Sequence, residues 1–251
     1  VNVGAAPTPR EVLVFFHAIG VPLAELWGMS ETCGAGCCNP PERVKIGTVG
    51  PAGPGVELRL AEDGELLMRS GVVMTGYRNS PEKTAEALDA DGWLHTGDIA
   101  EIDEDGYVRI VDRKKEIIIN AAGKNMSPAN IESTLKGASP LIGQACVIGD
   151  ARPYNTALIV LDSDFGPAWA ASQGIEGDLA ALARDERVRA AVQQAVDTAN
   201  EKLARVEQIK KFFLVEGDWL PGGDETTPTM KLKRKPIAEK YSAEISALYS
   251  A

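Results

Sequence analysis

Five consecutive charged residues, Asp112-Arg113-Lys114-Lys115-Glu116, separate two apolar runs at 108–111 and 117–119 that have the composition of strands. Such a knot cannot be buried unpaired, so it lies at the surface or in a cleft where something charged meets it. It also divides the chain into parts of similar length and different character. Short strands and turns precede it; helices, strands and a basic tail follow. We read it as an interdomain hinge. Taken alone, the segment fits a charged β-turn inside one continuous domain better; its flanks decide the reading.

A length of 251 residues accommodates one large domain or two modest ones. Hydrophobic content of 44% and charged content of 25% exclude the disordered and fibrous classes. The formal net charge of -10 argues against general nucleic-acid binding, because there is no excess of cations to neutralise phosphates. The exception is the Lys-Leu-Lys-Arg-Lys run at 231–235. No apolar run has the length of a membrane span, and the N-terminus lacks the pattern of a signal peptide. The first residue is Val, and the chain is expected to begin inside something longer. Four cysteines do not make a disulfide framework in a chain of this size, so a reducing, cytoplasmic compartment is expected. Cys33, Cys37 and Cys38 cluster, but the spacing lacks a second ligand pair and neither His17 nor His95 completes a metal pattern. Buried free thiols are the expectation.

In chain order, Thr8-Pro9-Arg10-Glu11 reads as a helix start with a Thr cap, and Val12, Leu13, Phe15, Phe16 and Ile19 form the apolar face of that helix up to Gly20. A strand-like run at 21–26 leads into Trp27-Gly28-Met29-Ser30-Glu31-Thr32. Three oxygen-bearing side chains after a strand end suit a phosphate or a hard cation; a loop with a Ser or Thr cap explains the same residues as well. From 47 to 111 the pattern is antiparallel β, with hairpin turns at Asp63-Gly64 and Asp105-Gly106. It implies a small barrel or curved sheet. Asp98, behind Gly97, could accept hydrogen bonds from a sugar diol. Beyond the hinge, Ser127-Pro128 starts a helix, strands are expected at 145–148, 157–161 and 209–215, and a long amphipathic helix at 185–206. Ile237, Tyr241, Ile245 and Leu248 mark one closing helix. The resulting fold class is α/β.

Motif order adds specificity that single motifs lack. Gly-Ala-Ala-Pro at Gly4, Trp-Gly-Met-Ser-Glu at Trp27, Gly-Trp-Leu-His-Thr-Gly-Asp ending at Asp98, Asp-Arg-Lys-Lys-Glu at Asp112, Gly-Lys-Asn-Met-Ser-Pro at Gly123 and Thr-Pro-Thr-Met-Lys ending at Lys231 follow one another. This series resembles the acyl-adenylate-forming, AMP-binding family, and within it the C-terminal part of bacterial long-chain fatty acyl-CoA synthetases. The form of the last motif and a helical insertion at about 168–206 carry the narrower likeness.

The resemblance implies the end of a large adenylating domain with a β-barrel-like subdomain at 1–111, a hinge at 112–116 and a compact α/β lid at 117–251. It implies a ligase using ATP, Mg2+ and a fatty acid to make acyl-AMP, then CoA to make acyl-CoA. The loop from Gly4 through Ala5 and Ala6 to Pro7 would hold adenine by backbone approach and the flat face of Trp27 by stacking, with Gly28 also in the nucleotide site; Ser30 would contact phosphate and Glu31 would ligate Mg2+. Asp98 and Arg113 would bind ribose. Lys231 would place a cation between carboxylate and α-phosphate. The lid would turn about Asp112, bringing Gly123 to the site for the pantetheine arm. The family's Ser/Thr/Gly-rich phosphate loop is not in this sequence, so the expected partner is the missing N-terminal part, and the chain alone is expected to be inactive. Another adenylating enzyme and a non-catalytic nucleotide-binding module stay open. So does peripheral membrane contact through 231–235; no segment fixes acyl chain length or oligomeric state.

Overall fold

The computed structural model describes residues 1–5, 8–34 and 36–250. The chain forms two compact units, Val1–Ile117 and Ile118–Ala251, each with its own hydrophobic core.

The first unit runs β1 (Asn2–Val3), α1 (Arg10–Ala18), β2 (Ala24–Trp27), a 3-10 turn (Ser30–Thr32), β3 (Cys37–Cys38), β4 (Val56–Leu60), β5 (Glu65–Ser70), α2 (Pro81–Ala87), β6 (Leu94–Ile102) and β7 (Val108–Arg113). β1 lies parallel to β2, which pairs antiparallel with β3. β4 to β7 form a four-stranded antiparallel sheet in sequential order. Both expected hairpins form, with Leu60 opposite Leu66 and Ile102 opposite Val108 across their Asp-Gly turns. Register shifts fall beside Glu65 and Ile99. Such irregularities bend a strand and re-aim its side chains, and both flank Asp98. Trp27, Leu66, Met68, Ala100 and Val108 fill the core.

The second unit runs β8 (Ile118–Ile119), β9 (Asn125–Met126), α3 (Pro128–Ala138), β10 (Ile142–Ile148), β11 (Asn155–Leu161), α4 (Phe165–Ser172), α5 (Leu179–Arg184), α6 (Glu186–Lys202), β12 (Ile209–Leu214), α7 (Arg234–Lys240) and α8 (Ser242–Tyr249). Its main sheet has the order β10-β11-β12, with β11 antiparallel to β10 and parallel to β12. Every residue of β11 is buried. Alternate side chains of a strand point to opposite faces, so an unbroken apolar run means that both faces are covered. Ala157, Ile159 and Leu161 join the cluster that includes α3 and α6, while Leu158 and Val160 join Trp219, Ile237 and Ile245 on the other side. Ser127 caps α3 by accepting from Asn130 N (3.1 Å), and Asp185 caps α6 by accepting from Arg187 N (2.8 Å).

Four expectations are corrected. Helix α1 begins at Arg10, not after a Thr8 cap: Pro9 is the cap residue, and Thr8 N instead donates to Glu25 Oε1 (3.2 Å). Of its apolar positions only Leu13 is buried, whereas Val12, Phe15 and Ile19 are exposed. The long helix stops at Lys202 because Leu203 turns extended, burying its own side chain and leaving Val206 outside. The closing segment is two helices rather than one, broken at Tyr241, and Ile237 and Ile245 are the side chains it buries. Among the described residues no helix is long and apolar enough to cross a membrane.

The buried ion pair of the second unit joins α3 to α7. Arg234 donates two parallel hydrogen bonds to Glu132, Nη1 to Oε1 (2.7 Å) and Nη2 to Oε2 (2.8 Å), and Val147 N donates to Glu132 Oε1 (2.8 Å). Removing one partner of such a pair leaves a desolvated charge behind. Arg234→Met is therefore expected to destabilise the second unit by about 3 kcal/mol in urea unfolding, and Glu132→Leu combined with Arg234→Met to recover much of the loss.

Candidate active site

In the first unit the parallel pairing of β1 with β2 brings two loops out side by side at the carboxyl ends of both strands, the place where open α/β sheets receive ligands. Gly4 leaves β1 hard against β2, where a Cβ would come within 2.8 Å of Leu26 Cδ1. Ala5 follows with φ 71°. That left-handed backbone costs a residue with a Cβ roughly 1 kcal/mol and explains why Gly suits the position better. Ala6 and Pro7 lie outside the described residues.

After β2, Trp27 and Gly28 lead into the turn that carries Ser30 and Glu31. Thr32 fixes this turn: its Oγ1 accepts from Met29 N (3.1 Å) and lies 3.0 Å from Met29 O. Ser30 is exposed and Glu31 half-buried. Met74 N donates to Glu31 O (2.7 Å), and Tyr77 donates its hydroxyl hydrogen bond to Glu31 Oε1 (2.7 Å). That bond holds the Tyr77 hydroxyl above its ordinary range. One half-buried carboxylate on a turn fits Mg2+, which takes one or two protein carboxylates and fills its shell with water and phosphate oxygens. Among the described residues no group of three His, Cys, Asp or Glu could hold a metal by itself.

The Trp27 indole is 8% exposed and belongs to the core. Gly36 makes room for it: a Cβ there would stand 2.7 Å from Trp27 Cζ3, and the bare backbone lets the ring seat against it. Its Nε1 donates to Asp98 Oδ2 (2.8 Å). Asp98 Oδ1 pairs with Arg113 Nε (2.9 Å) across the β6–β7 register, and Arg113 Nη1 reaches Thr96 O (3.3 Å). Trp27, Asp98 and Arg113 therefore form one connected group.

A second buried carboxylate sits behind this group. Glu65 accepts from Gly97 N (2.9 Å) and Lys114 Nζ (3.0 Å) and lies 3.2 Å from His95 Nδ1. Lys114 also pairs with Asp63, and its N–H donates to Gly97 O (2.7 Å). Burial alone would push the Glu65 carboxyl up, but the bonds from Lys114, His95 and Gly97 outweigh it and hold the group below its usual value. Asp112 is also buried, its Oδ1 accepting from Arg113 N (2.6 Å) at the end of β7, and 114–116 form the turn that follows.

Two expected residues lie in the second unit. Gly123 sits in the turn joining β8 to β9 with φ 73°, shaped by Asn120 Oδ1 accepting from Ala122 N and Lys124 N. Lys231 is exposed on a loop closed by the Thr226–Leu232 bridge, with Lys231 N donating to Thr227 Oγ1 (3.0 Å). Sequence reasoning missed Tyr77, Glu65 and Lys114; a Tyr behind Gly76 and a Glu entering a strand carried no pattern of their own. It also expected three buried thiols. Cys33 is exposed, Cys38 half-buried and Cys37 buried, and burial, with Cys38 beside it, pushes the Cys37 thiol up to about 12.

Residues 115–251 match the AMP-binding enzyme C-terminal domain and residues 1–78 the AMP-binding enzyme domain. Over 248 residues, 99% of the chain, it is 56% identical to a Mycobacterium tuberculosis protein provisionally named fatty-acid–CoA ligase fadD11, of which it covers 43%. It is 43% identical to the long-chain-fatty-acid–CoA ligase FadD15 of Mycobacterium bovis over 98% of the chain and 41% of that protein. The chain thus spans about two-fifths of the length of these relatives. Among solved structures, o-succinylbenzoate CoA synthetase of Bacillus subtilis, in complex with its acyl-adenylate intermediate, superposes with a TM-score of 0.73 at 25% identity, covering 94% of this chain and 45% of that one.

A carboxylate whose folded-state value is depressed contributes stability above its unfolded-state value and loses it as pH falls through the folded one. Glu65→Gln is expected to lower the stability of the first unit at pH 7. The gap from the unsubstituted chain should close as denaturation is followed downward through the region below about pH 4.5, the ordinary Glu value.

Proposed function

The chain belongs to the AMP-binding enzyme family, and we propose that it is the C-terminal portion of a long-chain fatty-acid–CoA ligase that makes acyl-AMP from ATP and then acyl-CoA. The observation that carries the reading is the convergence of Gly4, Ala5 and the Trp27–Glu31 segment at the ends of β1 and β2, with Asp98 bound to Trp27 from the neighbouring sheet. Glycines and hydroxyls at strand ends suit phosphate, a fixed carboxylate suits a sugar diol, and a half-buried glutamate suits a magnesium ion on phosphates. The fatty-acid substrate is supported by likeness to the two mycobacterial ligases.

In this reading Ser30 contacts phosphate and Glu31 holds Mg2+, which supplies charge neutralisation on the reacting phosphates when bound. Asp98 takes ribose hydroxyls with Arg113 beside it, and Gly4, Ala5 and Ala6 line adenine. Lys231 offsets the charge that develops as the carboxylate attacks the α-phosphate, an electrostatic role that an exposed lysine on a short loop can perform. Residues 112–116 act as hinge between the parts at 1–111 and 117–251, and Gly123 passes the pantetheine arm in the CoA step. The exposed Val12, Phe15 and Ile19 of α1 are covered by the N-terminal part of the same enzyme. We place the enzyme in the cytoplasm; in the basic 231–235 run Arg234 is committed to Glu132 and Lys233 Nζ to Gly223 O, so the run as a whole is not free to meet anionic lipid. A second reading, activation of an aromatic acid, is favoured by likeness to the o-succinylbenzoate enzyme.

Mass spectrometry tests this. A longer natural chain containing this segment, given ATP, Mg2+, oleate and CoA, should yield oleoyl-AMP and oleoyl-CoA; o-succinylbenzoate in place of oleate decides between the two acids. The Lys231→Ala variant should lose about 100- to 1,000-fold in adenylate formation, and the present chain alone should give no product. Binding of ATP without turnover by the longer chain would reject the enzyme. Asp112→Pro should slow thioester formation from supplied oleoyl-AMP more than it slows adenylate formation, and equal losses would count against the hinge.

A further inference from the structure

Between β5 and α2 the chain is tied down at both ends of a short loop, and the side chain placed by those ties is Tyr77. At the near end Met74 N donates to Glu31 O (2.7 Å). At the far end Tyr77 N donates to Thr84 Oγ1 (2.9 Å), which donates in turn to Ser80 O (3.0 Å). Gly76, with φ 150°, lets the loop close on α2, because a Cβ there would stand 2.8 Å from Thr84 Cγ2. Ser80 N, donating to Tyr77 O (3.2 Å), completes the turn. With its backbone fixed in this way, Tyr77 brings its hydroxyl to Glu31 Oε1 (2.7 Å) across 46 residues of sequence.

Packing does not account for the arrangement. Tyr77 is 38% exposed, and its ring is not among the side chains that fill the core of the first unit. What the hydroxyl does is hold a carboxylate that stands on a turn. The last side-chain bond of a glutamate is soft, so an unrestrained carboxylate offers either oxygen in many directions. A donor fixed on Oε1 removes that freedom and leaves Oε2 as the oxygen presented to a cation. One oxygen suits a small octahedral ion whose remaining ligands are water and phosphate oxygens. Hydrogen bonds to a ligating carboxylate orient it, and their loss costs roughly 10- to 100-fold in metal affinity or activity.

We propose that Tyr77 is a positioning residue for the divalent cation: it holds Glu31 by Oε1 so that Oε2 meets the metal, and thereby sets the affinity of the site for that metal. This rests on the reading that Glu31 holds Mg2+. The loop from Gly76 to Thr84 is then a brace for the metal site, with Thr84 as its anchor on α2.

The probe is Mn2+, which accepts the same octahedral oxygen shell and is counted by its EPR signal. In the longer ligase with α,β-methylene-ATP, the signal of free Mn2+ gives its dissociation constant, and the same nucleotide in EDTA gives binding without metal. Tyr77→Phe is expected to weaken Mn2+ by about tenfold or more and to leave metal-free nucleotide binding unchanged. With 4-aminophenylalanine in place of Tyr77 an N–H donor stands at the tip of the ring, so most of the loss should be recovered, and this variant answers even where Tyr77→Phe folds poorly. Glu31→Gln should lose at least as much Mn2+ affinity. Mn2+ binding weakened by Glu31→Gln and unchanged or tightened by Tyr77→Phe would overturn the proposal and leave the metal reading standing. Equal losses of Mn2+ and metal-free nucleotide, or no recovery with the amino donor, would reduce Tyr77 to a packing residue and overturn it too. Mn2+ binding insensitive to Glu31→Gln would remove the metal reading itself, and the proposal with it.

Discussion

A carboxylate taken out of water must be matched by donors, and the first unit is arranged around two of them. Asp98 is held by Trp27 and Arg113, and Glu65 by Lys114, Gly97 N and His95. Neither acid is matched by its own strand alone: the cations come from Arg113 at the end of β7 and Lys114 in the turn after it. The donors come from β2, from β6 and from the end of β7 and the turn beyond it. The cost of leaving Asp98 unmatched therefore ties the small three-stranded sheet to the four-stranded one through Trp27.

The register shifts beside Glu65 and Ile99 lie close to Asp98, while β6 itself keeps buried and half-buried residues alternating from Leu94 to Ala100. Glu65 braces Gly97, Thr96 Oγ1 donates to Leu66 O (2.6 Å) and accepts from Asp98 N (3.1 Å), and the carboxylate emerges from a backbone that is bonded on every side described. In the second unit the same logic holds where Arg234 and Glu132 join α7 to α3, three residues beyond Lys231. A loop that offers a lysine to solvent is thereby anchored at one end by a desolvated ion pair.

Much of the architecture could be read in advance because it follows from local rules. The Asp-Gly turns at 63–64 and 105–106, the Ser127 cap and the Val188, Val192 and Ala199 face of α6 are each specified within a few residues. The readings that failed were those needing knowledge of what lies on the other side of a surface. Phe15 and Ile19 have the spacing of a buried face and are exposed, and Leu248 has the spacing of a closing helix that the chain breaks at Tyr241. Periodicity tells which side chains share a face, not whether anything covers it.

The candidate residues divide in the same way. By itself the sequence determined the order and spacing of Gly4, Trp27, Ser30, Glu31, Asp98, Arg113, Gly123 and Lys231, and with them the likeness to the AMP-binding family, since residue types and intervals are properties of the chain. Tertiary structure alone decided where the Trp27 ring lies: it joins Met68 in the core, seats against Gly36 and gives its N–H to Asp98. It also decided that Tyr77 reaches Glu31 and that Lys114 reaches Glu65, contacts spanning 46 and 49 residues. Interactions of that range depend on where two strands are placed in space, and no local pattern of residues encodes that placement.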